Sequence, residues 1–247
     1  MNFNVLFNQY LSVLQKHNDQ LYDLQFYPDS LRQILKTFAS SNDGYSYTFS
    51  KLKLVIPKKF RPSHCIPRHA GDIEVILSIE SDIVIKKLKV GHIEDPLIKL
   101  ENFNIILNSD KYTSSWHFDR QDKKDGEGIS KSLHPIYHLT FGGHYMEDLQ
   151  QDDSDEFGRA LIIRAPRIMH PPMELILGLD FIFNHFIPKD KLDLLSDPSY
   201  NMIINAFKKY FWMPFALAFT KNYCENINID GVHFNFDDSF VSSVLSC

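Results

Sequence analysis

The stretch Ser114-Ser-Trp-His-Phe-Asp-Arg120, followed by His134-Pro-Ile-Tyr-His-Leu-Thr-Phe141, alternates aromatic or apolar side chains with polar ones. Such alternation is typical of β-strands, because successive side chains point to opposite faces of a sheet. Three segments upstream and one downstream show the same strand-like pattern, and no helical pattern separates them. The sequence therefore predicts a central antiparallel β-meander of about six strands. The predicted strands are 45–56, 72–79, 102–107, 114–120, 134–141 and 160–165.

Helical patterns flank this meander on both sides. Near the N-terminus, apolar residues at positions 3–14 recur on one helical face, and a second helix is expected after Pro28, with Asp29 as its cap. Beyond the strands, residues 175–186 form a wide apolar helical face, and another helix is expected from position 200. Pro214 is expected to kink or end that last helix.

Together these patterns predict one α+β domain spanning residues 1–247. The predicted parts are a helical segment at 1–44, the sheet at 45–167, and a mainly helical segment at 168–247 with a short terminal hairpin. We expect the C-terminal helices to pack on one face of the sheet, because a sheet must bury its apolar face against another layer.

Composition excludes several classes of protein. The 247 residues are 44% hydrophobic and 23% charged with a net charge of −5, which does not fit intrinsic disorder. No apolar run is long enough to span a membrane, and the slightly acidic balance does not favour a nucleic-acid partner. Three widely spaced cysteines do not form a disulfide framework, and the N-terminal residues do not resemble a signal peptide. A cytoplasmic location is therefore expected.

Histidine is concentrated in the predicted meander. Five of the 11 histidines lie between positions 117 and 170. Since residues i and i+2 of a strand share a face, His117 and Asp119 are expected to point the same way, and so are His134 and His138. If the two strands are neighbours, two to four of these groups come within reach of one another. The five histidines are His117, His134, His138, His144 and His170.

Three of these residues form the predicted metal site. Two histidines and one carboxylate are the donor set of non-haem Fe(II) sites, and the same set suits a catalytic zinc ion. The order His117-x-Asp119 followed by a distant His170 predicts that these three residues bind zinc or iron. The metal-dependent enzyme hypothesis requires all three to converge on one metal position. If His117 and His170 lie on opposite faces, that hypothesis fails, whatever the rest of the site contains.

Neighbouring residues are candidates for catalytic roles. His134 or His138 would add a further ligand or serve as the acid–base group. Arg120 would orient an anionic substrate or pair with a loop carboxylate. On this hypothesis the protein is a metal-dependent enzyme, either a hydrolase or an oxidoreductase.

A second hypothesis assigns structural roles to the histidines. The protein would then be a non-catalytic interaction module, or a subunit of a larger assembly. Its partner surface would be the aromatic C-terminal segment at 211–215, together with Phe234 and Phe236. Two polar loops, 121–132 and 147–158, are expected at hairpin ends, where they could order on binding.

Overall fold

The computed structural model describes residues 2–63, 65, 68–89, 92–110, 112–120, 136–142, 146, 168–223 and 233–235. Within these residues, N-terminal helices precede two antiparallel sheets of four and six strands, and helices follow the sheets. This arrangement confirms the predicted α+β class. In these ranges no helix combines the length and apolar character needed to span a membrane.

The described helices and strands have the following bounds. The helices are α1 (Phe3–Lys16), α2 (Asn18–Asp23), α3 (Pro28–Lys36), α4 (Leu175–Phe186) and α5 (Pro198–Tyr223). The first seven strands are β1 (Ala39–Ser40), β2 (Gly44–Tyr47), β3 (Lys51–Ile56), β4 (Ile73–Ser78), β5 (Ile83–Lys86), β6 (His92–Glu94) and β7 (Leu97–Lys99). The others are β8 (Phe103–Ser109), β9 (Tyr112–Arg120), β10 (Tyr137–Phe141), β11 (Ile168–Met169) and β12 (His233–Asn235).

Five strands of the six-stranded sheet correspond to strands of the predicted meander, and the sixth, β11, was not predicted. The order of this sheet is β11-β10-β9-β8-β4-β3, and every neighbouring pair is antiparallel. The register divides its residues between two faces. We call one the core face, represented by Leu54, Val75, Ile105, Phe118 and Tyr137, all of which are buried. We call the other the site face, which at β8, β9 and β10 carries Asn104, His117, Asp119, His138 and Thr140.

The C-terminal helices cover the core face. The ring of Phe181 in α4 lies 5.6 Å from that of Phe118, and Phe215 in α5 lies 6.2 Å from Tyr137. Gly178 allows α4 to approach closely, because a Cβ at this position would lie 2.5 Å from the ring of Phe103. The prediction that these helices pack on one face is therefore confirmed.

The predicted strand 45–56 is two strands in the structure. Residues 44–47 belong to the four-stranded sheet and residues 51–56 to the six-stranded sheet, with an interruption at 48–50. The four-stranded sheet also contains β5 and β7, which the sequence analysis did not predict. Periodicity shows that a segment is extended, but it does not show which sheet the segment joins, so two strands in series were read as one.

The remaining predicted elements have mixed outcomes. The predicted strand 160–165 and most of the terminal hairpin lie outside the described residues, although β12 pairs in parallel with β6. Helix α3 begins at Pro28 with Tyr27 as its N-cap, and Asp29 pairs with Arg32 instead of capping. Helix α5 continues through Pro214 to Tyr223 and does not end at the proline.

Candidate metal centre

Strands β9 and β10 bring three metal-binding side chains together on the site face. Asp119 lies directly opposite His138, and His117 lies opposite Thr140. The potential ligand atoms of His117, Asp119 and His138 all lie within 4.8 Å of one another. Alternation along one strand and pairing across to the next therefore produce a three-residue cluster, as expected for neighbouring strands.

The cluster is mostly buried but reaches solvent through its carboxylate. His117 is 7% exposed and His138 is 3% exposed, whereas the Asp119 side chain is 23% exposed. The two imidazole centroids are 6.3 Å apart, and His117 Nε2 lies 3.8 Å from Asp119 Oδ2. Ligand atoms around a tetrahedral ion lie roughly 3.4 Å apart, given metal bonds of about 2.1 Å. Side-chain movements of about 1 Å would therefore complete a metal site.

Asn104 fixes which nitrogen of His117 faces the cluster. The Asn104 Nδ2 group donates to the carbonyl oxygen of Asn102 at 3.0 Å, so its Oδ1 is turned toward His117. This Oδ1 lies 2.9 Å from His117 Nδ1. An amide oxygen can only accept, so Nδ1 carries the proton and Nε2 faces Asp119. Histidines that bind metals usually donate their second ring N–H to such an acceptor.

Asp119 is held in its charged form. Burial raises the pKa of this carboxyl, but the neighbouring imidazoles of His117 and His138 in their protonated form, together with the backbone of Asn102, outweigh burial. Its pKa therefore lies below the usual value. A carboxylate that stays ionised at neutral pH is the form that binds a metal.

His170, the third ligand predicted from the sequence, comes from the other side of the sheet. Met169 pairs with His138, so the next residue along the chain faces the opposite way. The His170 ring lies 5.0 Å from Phe118 on the core face, and its backbone N–H donates to Tyr137. The structure therefore brings His117 and Asp119 together with His138, and it separates His117 from His170. The metal hypothesis does not hold in the form predicted from the sequence, with His170 as a ligand.

The surroundings of His170 favour its neutral form. Burial lowers the pKa of its imidazole, and the charge of His185 lowers it further, while a hydrogen bond with the Pro171 carbonyl opposes both. Helix α4 begins beyond it, at Leu175, with Glu174 as its N-cap. His170 does border a small depression beside the cluster. This depression has no room for a water molecule. The lining residues are Leu100, Phe118, Asp119, Tyr137, His138, His170, Pro171 and Met173.

The predicted catalytic residues have different outcomes. His134 lies outside the described residues. Arg120 pairs with Asp95, a loop carboxylate, at 3.0 Å, and its guanidinium carbon lies 6.0 Å from the centre of the Tyr137 ring. Tyr137 also donates to Asp95. Of the two roles predicted for Arg120, the structure shows the pairing with a loop carboxylate.

The aromatic C-terminal segment is directed largely into the fold. Phe211 is fully buried, and Trp212 Nε1 donates to the carbonyl of Pro172 at 2.8 Å. Phe215 packs on Tyr137, while Met213 is 42% exposed. The described part of this segment thus offers little aromatic surface to a partner.

Asn102 and Asn104 were missed by the sequence analysis. A signal was present, because Asn104 interrupts the apolar residues of the predicted strand 102–107 at a position that period two assigns to the opposite face. Comparison of the chain with models of protein families, with curated proteins and with solved structures finds no match. The geometry of the site is therefore the basis for assigning a function.

Proposed function

We propose that the protein is a metal-dependent enzyme in which His117, Asp119 and His138 bind one zinc or iron ion. The observation that carries this proposal is the convergence of their ligand atoms within 4.8 Å. Two nitrogens and one carboxylate leave coordination positions open, as catalytic metals require. A metal with open positions acts as a Lewis acid or activates bound water or oxygen, so the activity is that of a hydrolase or an oxidoreductase.

In this proposal His138 replaces His170 as the third ligand. His138 lies directly across from Asp119, and it shares the site face with His117. His170 forms part of the wall of the adjoining depression. The acid–base role of His134 stays a prediction. We also propose a cytoplasmic location, on the spacing of the three cysteines.

Metal analysis of single variants tests the proposed ligand set. Untagged protein would be reconstituted separately with zinc and with Fe(II), desalted and analysed by mass spectrometry. We expect one equivalent of one of these metals in the wild type, and loss of that metal in His117→Ala, Asp119→Ala and His138→Ala. The matched control is His170→Ala. It removes an imidazole that the sequence predicted as a metal ligand but that lies on the core face.

Two results would overturn the proposal. A wild-type protein that holds neither metal after reconstitution would exclude the metal centre and favour the non-catalytic hypothesis. Loss of metal in His170→Ala with retention in His138→Ala would restore the ligand set predicted from the sequence. Circular dichroism of each variant would establish that loss of metal does not reflect loss of fold.

A further inference from the structure

Asn102 lies just before β8, and its backbone lies near both sides of the cluster. Its carbonyl accepts from Asn104 Nδ2 at 3.0 Å, and its backbone lies near enough to Asp119 to help lower the pKa of that carboxyl. Its side chain donates to Glu80. One residue therefore holds His117 through Asn104 and lies beside Asp119.

The backbone conformation of Asn102 makes the contact with Asn104 geometrically feasible. Its φ is 50°, which lies in the left-handed region. Asparagine and glycine adopt this region readily, whereas β-branched residues are strained there. The turn directs the carbonyl of Asn102 toward the Asn104 side chain of β8.

We propose that Asn102 and Asn104 are positioning residues that orient His117, a ligand of the metal centre, before any metal binds. Asn104 selects the Nδ1-protonated form of His117 and so presents Nε2 to the cluster. Asn102 sets the direction of Asn104 through its backbone carbonyl. This inference rests on the proposed function for the identity of the centre, but it concerns residues that do not themselves bind the metal.

Zinc affinity of Asn104 variants tests the first part. Loss of a hydrogen-bond partner behind a metal-binding histidine typically weakens metal binding by about 10–100-fold. We expect a loss of that size in Asn104→Leu, measured by competition with a chelator. Asn104→Asp keeps an acceptor for His117 Nδ1 but loses the donor to the Asn102 carbonyl, so we expect a smaller loss of zinc affinity than in Asn104→Leu.

Asn108 provides the matched control. It lies on the same strand and the same face as Asn104, and its Oδ1 accepts from Thr113 at 3.0 Å. Asn108→Leu therefore removes an equivalent amide from β8 without touching the cluster. We expect its zinc affinity to equal that of the wild type.

Substitutions at Asn102 test the backbone contribution. Asn102→Gly retains the left-handed conformation and the backbone hydrogen bond with Asn104, so we expect zinc affinity near that of the wild type. Asn102→Val strains that conformation, and we expect a loss of about 10-fold or more. Thermal melting would identify any variant that fails to fold. If Asn102→Val fails to fold, the comparison of Asn104→Leu with Asn104→Asp tests the positioning role instead.

Nitrogen NMR of the His117 ring supplies a readout that does not depend on metal. We expect Nδ1 to be protonated in the metal-free wild type and in Asn104→Asp, and a shift of the proton toward Nε2 in Asn104→Leu. If the wild type binds zinc but Asn104→Leu changes neither the zinc affinity nor the ring protonation, the positioning role is overturned and the metal centre stands. If the wild type binds neither zinc nor iron, the proposed function is overturned, and the positioning role with it.

Discussion

At the scale of single residues, Glu174 shows how the fold places a carboxyl where its charge is costly. It is 1% exposed and caps α4, accepting hydrogen bonds from the backbone of Ile176 and Leu177 and from the Tyr47 hydroxyl. Burial raises the pKa of this carboxyl to about 7, because these hydrogen bonds offset only part of the lost hydration. The folded protein therefore binds this proton more tightly than the unfolded chain.

The raised pKa of Glu174 predicts that the protein is less stable at alkaline pH. The contribution of this group is fully present below its ordinary pKa of 4.5, and it is lost as the pH rises through about 7. A shift of this size corresponds to roughly 3 kcal/mol in the free energy of unfolding. Glu174→Gln carries no such charge, so its unfolding free energy should fall less between pH 5 and pH 8.

Urea unfolding of wild type and Glu174→Gln at several pH values between 5 and 8 would measure this effect. Glu101→Gln is the control, because the Glu101 side chain is 55% exposed. We expect the Glu101 variant to follow the wild type across the range. Parallel pH curves for the wild type and Glu174→Gln would show that Glu174 ionises normally.

The residue scale also shows what the sequence could establish about the site. Period two alone placed His117 and Asp119 on one face, and the structure agrees. The choice between His138 and His170 depended on which residues pair across strands, and a shift of one residue reverses every face. Single-sequence patterns do not set that register, so the sequence alone did not show that His138, and not His170, lies on the face of His117 and Asp119.

At the scale of elements, the contact between α4 and the sheet depends on Gly178. Glycine inside a helix costs about 1 kcal/mol relative to alanine, so Gly178→Ala would stabilise an isolated helix. Here the added Cβ would lie 2.5 Å from the buried ring of Phe103. Overpacking of this kind typically costs about 1–3 kcal/mol, so we expect the packing cost to match or exceed the gain in helix propensity.

Thermal unfolding of Gly178→Ala, of Phe103→Leu and of the double variant Gly178→Ala/Phe103→Leu would test this contact. We expect Gly178→Ala alone to lower the melting temperature, and Phe103→Leu to destabilise the protein less in the Gly178→Ala background than in the wild type. A Gly178→Ala protein that melts above the wild type would show that helix propensity dominates at this position.

The elements that were predicted correctly have periodic apolar faces. Helix α1 buries Phe3, Phe7, Tyr10, Leu11 and Leu14 as its pattern required. Short strands such as β5 and β7 have too few residues for a pattern to stand out, and their pairing is set by distant contacts. At Pro214, too, distant contacts override the local pattern. The packing of α5 on the sheet outweighs the local preference of proline to end the helix.

At the scale of the whole molecule, helix α1 packs against α5. The ring of Phe3 in α1 lies 5.6 Å from that of Phe207 in α5, and Lys16 pairs with Asp197 at 2.8 Å. The sheet lies between these helices in sequence, and both C-terminal helices contact its core face. The proposed metal centre on the site face therefore lies on a sheet whose other face carries much of the core.

This arrangement predicts that metal binding stabilises the whole fold. The proposed ligands come from β9 and β10, so an ion held there is lost when these strands separate. A ligand present at 100 times its dissociation constant adds about 2.7 kcal/mol to the free energy of unfolding. For a chain of this length, that corresponds to a rise of roughly 5–10 °C in melting temperature.

Thermal melting with and without zinc, compared within each variant, would measure this coupling. We expect a rise for the wild type and for His170→Ala, because both retain the three ligands, and little change for Asp119→Ala. Comparing each protein with itself removes any effect of the substitution on the metal-free fold. An equal rise in Asp119→Ala would place the stabilising zinc elsewhere on the chain, and no rise in the wild type would argue against a metal centre that spans β9 and β10.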